Sequence, residues 1–270
     1  RALPSASDFS NTTYSYLYNY GAQTSLVCYG SDETAERVLD AGPSQHVGPL
    51  VTRSGDYVIW NDVINKRSHI IKWDGTGKTV LASTAAYYVL CCQWSDSAKK
   101  EFLYMTAPLN TNANDIEACL YKQVYRVELT NGVANTSGAQ LIYEYPGNSD
   151  MPRSPFLISG DGKYAGINNW PYIFVYDFSR KQITGIPLTE FSGCWPNMAP
   201  DNSGRFFYFN GAHSSFRMFD VYNTTDAAGI RWIQVASKLP GTTFKDAGSP
   251  RYSNHPGFLS ISYPLTESKT

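Results

Sequence analysis

Short apolar runs alternate with turn-forming residues along almost the whole chain, and the alternation repeats. Residues 49–61, 155–168, 196–210 and 250–262 each open on a proline (Pro49, Pro155, Pro196, Pro250) and continue through a short strand pattern. A Gly-containing turn follows, then a second strand that opens on an aromatic: Tyr57, Tyr164, Phe206 or Phe258. A fifth copy, residues 92–106, lacks the proline but keeps the turn and an aromatic, Phe102. Asp, Asn, Ser and Gly in these turns supply the positive φ angles or side-chain-to-backbone bonds that a hairpin needs. Successive copies start about 40 to 63 residues apart, the scale of one four-stranded propeller blade.

Each complete copy is followed by two more strand patterns: residues 69–73 and 78–81, 123–128 and 140–143, 172–177 and 182–188, 216–221 and 231–235. Four full blades result. The copy at 250–262 has only inner strands, and residues 24–29 and 36–39 read as its third and fourth. The expected fold is therefore all-β, a five-bladed β-propeller of four-stranded antiparallel blades, closed by N- and C-terminal strands sharing one blade. A six-bladed or truncated ring is the alternative. Residues 22–270 form the single propeller domain. Residues 1–21, with Tyr14, Tyr16, Tyr18 and Tyr20, read as an arm laid over the ring or available for self-association.

The turn Ser159-Gly160-Asp161-Gly162-Lys163, followed by Tyr164, and its lengthened counterpart around Pro200, Asp201, Gly204, Arg205 and Phe206 carry a family likeness. The chain resembles the TolB-like and WD-repeat-like propellers, whose blades place a Ser-x-Asp-Gly-Lys turn before an apolar strand. The resemblance implies a fold. Those families span scaffolds, peptidase accessory domains, lectins and polysaccharide lyases, so it carries no catalytic residue over.

Composition narrows the partners. Of the 270 residues 17% are charged, below the roughly 25% of an average soluble domain. Aromatics reach 14%, with 20 Tyr. A net charge of −1 gives no basic surface for nucleic acid or anionic membrane. No apolar run approaches the ~18 residues of a membrane span. The chain starts at Arg1 without a leader, so any targeting segment is expected to have been removed already. Sequons at Asn11, Asn135 and Asn223 agree with secretion. Cys28, Cys91, Cys92, Cys119 and Cys194 fit no metal spacing. In a secreted chain they read as two disulfides and one leftover thiol; the alternative is five buried, reduced cysteines. No cofactor is implied, although a divalent cation in the axial channel stays open.

The second strands end on Asn61, Thr106, Asn168, Asn210 and Ser262. These side chains either tie down neighbouring loops or form a polar collar that meets sugar hydroxyls. His46, Trp170, Trp195, His213 and the insertion at 108–119, a lid or contact loop, belong to the same face. The indoles are stacking platforms or core packing. His255 sits in a turn on the opposite face, and His69 reads as structural.

Glycoside hydrolysis would need two facing carboxylates, but Asp56, Asp96, Asp161 and Asp201 lie in far-face turns, leaving Asp62 alone. A serine hydrolase lacks its Gly-x-Ser-x-Gly elbow. The leading expectation is a secreted propeller binding carbohydrate, or a protein, through Asn61, Asn168, Trp170, Trp195, Asn210, His213 and His46. The alternatives are a polysaccharide lyase acting on uronate glycans, with His213 or one of the many tyrosines as base and Arg217 or Arg153 neutralising the carboxylate, and a structural or assembly subunit.

Overall fold

The computed structural model describes residues 13–20, 23–30, 37–40, 47–62, 65–83, 86–94, 100–108, 121–144, 157–169, 172–184, 193–199, 204–210, 215–220, 231–234, 248–252 and 259–262. These form six antiparallel sheets in chain order. The first holds β1 (Thr13–Tyr20), β2 (Gln23–Gly30) and β3 (Arg37–Asp40). The second holds β4 (Val47–Val51), β5 (Tyr57–Asp62), β6 (Arg67–Lys72) and β7 (Thr79–Ala82). In the third, β8 (Tyr88–Trp94), β9 (Glu101–Pro108) and β10 (Tyr121–Thr130) are followed by β11 (Val133–Ala134) and β12 (Gln140–Glu144), both paired to β10. The fourth comprises β13 (Leu157–Ile158), β14 (Tyr164–Asn169), β15 (Tyr172–Asp177) and β16 (Gln182–Thr184). The fifth comprises β17 (Gly193–Met198), β18 (Arg205–Asn210), β19 (Ser215–Asp220) and β20 (Arg231–Gln234), and the sixth β21 (Gly248–Tyr252) and β22 (Leu259–Ser262).

The four full blades stand where the repeat places them. The N-terminus differs. Residues 13–20 of the expected arm are β1, paired along their whole length with β2. First strands stand beside first strands: β1 by β4, β4 by β8, β8 by β13, β13 by β17 and β17 by β21. β1 therefore occupies the position of an innermost strand, and the first sheet has its own place in the series. Its second and third strands are β2 and β3, which cover most of the strand patterns expected at 24–29 and 36–39. Among the described residues no strand pairing joins the first sheet to the sixth.

Sheets pack face to face, which is why the second strands carry unbroken apolar runs. In β5, Val58 and Trp60 pack with Leu39 of the first sheet, while Ile59 points the other way into a cluster with Val89, Leu103 and Met105 of the third. Period-2 alternation thus buries both faces. In β9, Leu103 and Met105 face back to the second sheet, while Tyr104 faces forward to Ile158, Ala165 and Tyr176 of the fourth.

The repeated prolines have a physical reason in the pairing register. Between Val47↔Asn61 and Leu50↔Ile59, β4 carries one residue more than β5. The same one-residue excess occurs in β17 between Cys194 and Asn197, and in β21 between Gly248 and Arg251. Pro49, Pro196 and Pro250 each immediately precede the residue at which pairing resumes. A bulge leaves ladder groups unpaired, so a residue without an N–H is tolerated there. β8 bulges at the equivalent Leu90 without a proline.

The turns after these strands share one bonding pattern. Thr52 takes an N–H bond to the Tyr57 carbonyl (3.0 Å), its hydroxyl accepts from the Tyr57 N–H (3.2 Å), and Gly55 stands at φ +84°. Ser159, Tyr164 and Gly162 repeat it at 2.8 Å, 3.0 Å and φ +73°. The lengthened turn closes with the Ala199 N–H on the Arg205 carbonyl (2.7 Å).

Candidate functional site

Equivalent positions follow from the bulges. Pairing resumes at Ile59, Tyr104, Phe207 and Ser260 of the second strands. Two residues on stand Asn61, Thr106, Phe209 and Ser262. Asn168 lies four residues past Tyr164, as Asn61 does past Tyr57, and belongs to the same set. Asn210 does not: it is one residue further, at the station of Asp62, and Phe209 takes the collar position.

Asn61 is fully buried. Its Nδ2 donates to the Val89 carbonyl (3.0 Å) and its Oδ1 accepts from the Val89 N–H (2.8 Å). Val89 lies on β8, which among the described residues pairs with β9 on one side only, so its outward backbone groups have no strand partner there. The amide of the second sheet supplies both bonds and clasps the third. Of the two readings for this position, tying down a neighbour describes Asn61. Thr106, also buried, donates its hydroxyl to the Gln123 carbonyl of its own sheet (2.6 Å).

Asp62 is buried and caps the following turn, accepting from the Asn65 N–H (3.0 Å) and Nδ2 (2.7 Å). His69 is structural: it stacks on Trp60 with ring centroids 5.1 Å apart. Burial first, then the Lys78 ammonium, hold its imidazole below the ordinary value. Burial by itself would raise the Asp177 carboxyl, but the Ser179 hydroxyl and the Ser179 and Arg180 N–H groups outweigh it, and the net direction is down.

Trp195 stands within β17, inside the bulged segment, rather than before the strand. Arg217 lies in β19 opposite Tyr208 and Trp232. The side chains of Asn168, Trp195, Asn210, Arg217 and Ser262, and the whole of His46, Arg153, Trp170 and His213, lie outside the described residues. So do most of the 108–119 insertion and His255. Cys91 and Cys92 are buried and take part in no disulfide, which corrects the expected pairing: two disulfides cannot form from the three cysteines that remain. Among the described residues no group of three His, Cys, Asp or Glu side chains is placed to hold a metal ion. No helix among them is long and apolar enough to cross a membrane.

Several groups between blades carry no signal in the repeat. Arg53 Nε donates to the Cys92 carbonyl (2.6 Å), Gln93 Nε2 to the Ile158 carbonyl (2.7 Å) and Tyr104 Oη to the Ser159 carbonyl (3.3 Å). Within the third sheet, the Arg126 guanidinium lies 3.6 Å from the centroid of Phe102. Glu101 accepts from the Ser54 N–H (2.8 Å) and from Cys92 Sγ (3.8 Å). Burial pushes the Glu101 carboxyl up, and the Ser54 and Arg53 N–H groups oppose it only in part. The same burial, followed by the Glu101 charge, keeps Cys92 a thiol.

A raised carboxyl in the folded state costs stability once it ionises, so its contribution is most favourable below the ordinary carboxylate value and fades as pH rises through the folded one. Glu101→Gln keeps an acceptor for Ser54 and removes the charge. It is expected to flatten the fall in stability on going from about pH 5 to 7, measured by urea unfolding of both proteins across that range. An unchanged slope would show that Glu101 does not set it.

No protein-family model matches the chain, and no curated protein is similar to it. Solved structures are. TolB from Acinetobacter baumannii is 14% identical over 91% of this chain and 56% of its own, at TM-score 0.58. A chain of the nidogen/laminin complex is 10% identical over 80% and 73%, at TM-score 0.49. The β-propeller domain of Cps50 (Swd1) from Myceliophteria thermophila is 11% identical over 74% and 67%, at TM-score 0.47. The chain spans little more than half of the TolB structure. At these identities the likeness is one of architecture, and with the six face-packed antiparallel sheets it establishes a β-propeller fold similar to that of TolB.

Proposed function

We propose that the chain is a secreted β-propeller that binds a polar ligand, of the carbohydrate class, where its second strands end. The observation that carries this reading is the Asn61 clasp on Val89, which fixes the end of β5 against the neighbouring blade. The loops after β5, β9, β14 and β18 then leave a rigid frame, the arrangement in which loops carry recognition. Those loops hold Trp170, His213 and the segment 109–120. An indole stacks on the apolar face of a sugar ring, and imidazole and amide groups match its hydroxyls.

A glycan array followed by titration calorimetry on the best glycan tests the proposal. Trp170→Ala is expected to weaken that binding roughly tenfold, about 1.4 kcal/mol, with the melting temperature unchanged. A folded chain that retains no glycan on the array sinks the carbohydrate reading.

A further inference from the structure

We propose that Asn135 is an acceptor site for an N-linked glycan. The inference depends on the secreted reading for its setting in the cell, but its chemistry is local. Of the three sequons, Asn135-Thr136-Ser137 is the one among the described residues. It forms a single 3-10 turn, Thr136–Gly138, between β11 and β12, and every residue from 135 to 140 is exposed.

The amide is arranged for attack from its nitrogen. Asn135 Oδ1 accepts from Ser137 Oγ (2.9 Å) and from the Gly138 N–H (3.3 Å). Both bonds fall on the oxygen rather than on Nδ2, and the hydroxyl at the third sequon position, by donating to that oxygen, polarises the amide and makes the Nδ2 protons more acidic. Gly138 keeps that side open: its φ is ordinary, yet a Cβ there would stand 3.0 Å from Nδ2. Its lack of a side chain therefore serves space rather than backbone conformation. On the flanking strands Val133 is 68% exposed and Leu141 48%. A glycan at the turn between them covers apolar surface on an outer edge, where charge or bulk ordinarily guards against association.

The transfer balances without redox chemistry. Asn135 Nδ2 forms a bond to the anomeric carbon of a phosphate-activated sugar, and the bond from that carbon to the phosphate oxygen breaks. The departing phosphate keeps the electron pair, and one Nδ2 proton passes to a base of the transferase.

The test presents purified, folded chain to an Asn-glycosyltransferase and a nucleotide-diphosphate hexose, with sites mapped by peptide mass spectrometry and a sequon peptide as positive control. The expected result is hexose on the Asn135 peptide, lost in Asn135→Gln and Ser137→Ala, retained in Ser137→Thr, and reduced in Gly138→Ala at unchanged melting temperature. An unmodified Asn135 in folded chain, while the control peptide is modified, overturns the proposal. A second arm fuses a cleavable secretory leader and expresses the chain in a eukaryotic host. Modification in the purified reaction with retention inside the host would count against secretion and leave the acceptor site standing.

Discussion

Asn61→Asp is expected to destabilise the protein by roughly 3–5 kcal/mol at pH 7, more than the about 2–4 kcal/mol expected for Asn61→Ala. The alanine variant leaves the Val89 N–H and carbonyl buried without partners. The aspartate variant keeps an acceptor for the N–H but sets a carboxylate against the Val89 carbonyl, in a position with no solvent exposure. Burial disfavours the ionised form, so the introduced carboxyl has a folded-state pKa raised above its unfolded value. The sign follows: its penalty is relieved below the unfolded value and grows as pH rises through the folded one. Once protonated, the acid donates to Val89 as the amide did. Urea unfolding at pH 7 and 5 should show the aspartate deficit shrinking at the lower pH while the alanine deficit stays constant relative to the parent. Equal, pH-independent losses in the two variants would mean that the clasp does not hold the blades together.

That clasp also shows where sequence reading stops. The hairpin unit was legible because each of its parts has a local cause: Gly55 and Gly162 at positive φ, Thr52 and Ser159 hydroxyls on the backbone, prolines where a bulge releases an N–H. Local causes repeat visibly. The polar collar was read by counting to the end of each second strand, and the count misses the register by one residue at Asn210 because its turn is a residue longer. Whether an amide faces a ligand or a neighbouring backbone depends on the next blade, which no local pattern encodes. The N-terminal segment differs for another reason. Tyr14, Tyr16, Tyr18 and Tyr20 alternate with polar residues or leucine at period 2, which is itself a strand signal. A ring closed by both chain ends leaves residues 1–21 as an arm, whereas residues 13–20 pair along their length with β2 and stand beside β4.

Gly162→Ala is expected to cost about 2–5 kcal/mol, and the size depends on what lies across the blade interface rather than on the glycine alone. At φ +73° the left-handed backbone accounts for about 1–2 kcal/mol. The rest is steric: an added Cβ stands 2.9 Å from Tyr104 Oη. Gly132 makes an instructive contrast, since a Cβ there would come even closer, 2.7 Å from a Tyr57 ring carbon. Distance does not rank them. Tyr57 is only partly buried, and its ring can swing toward solvent. Tyr104 is fully buried, with its hydroxyl on the Ser159 carbonyl of the very turn that carries Gly162, so relief of the clash requires the two blades to separate or that bond to break. Overpacking of this kind adds about 1–3 kcal/mol, whereas Gly132→Ala should cost little beyond its backbone term. The two parts separate in a double-mutant cycle. Tyr104→Phe removes the clashing oxygen, so Gly162→Ala made in that background should lose about 1 kcal/mol or more of its penalty, leaving the part that belongs to φ. Thermal unfolding of the four proteins reads the coupling directly. Additive losses would place the whole cost in the turn and remove Tyr104 as the wall against which the fourth sheet is seated.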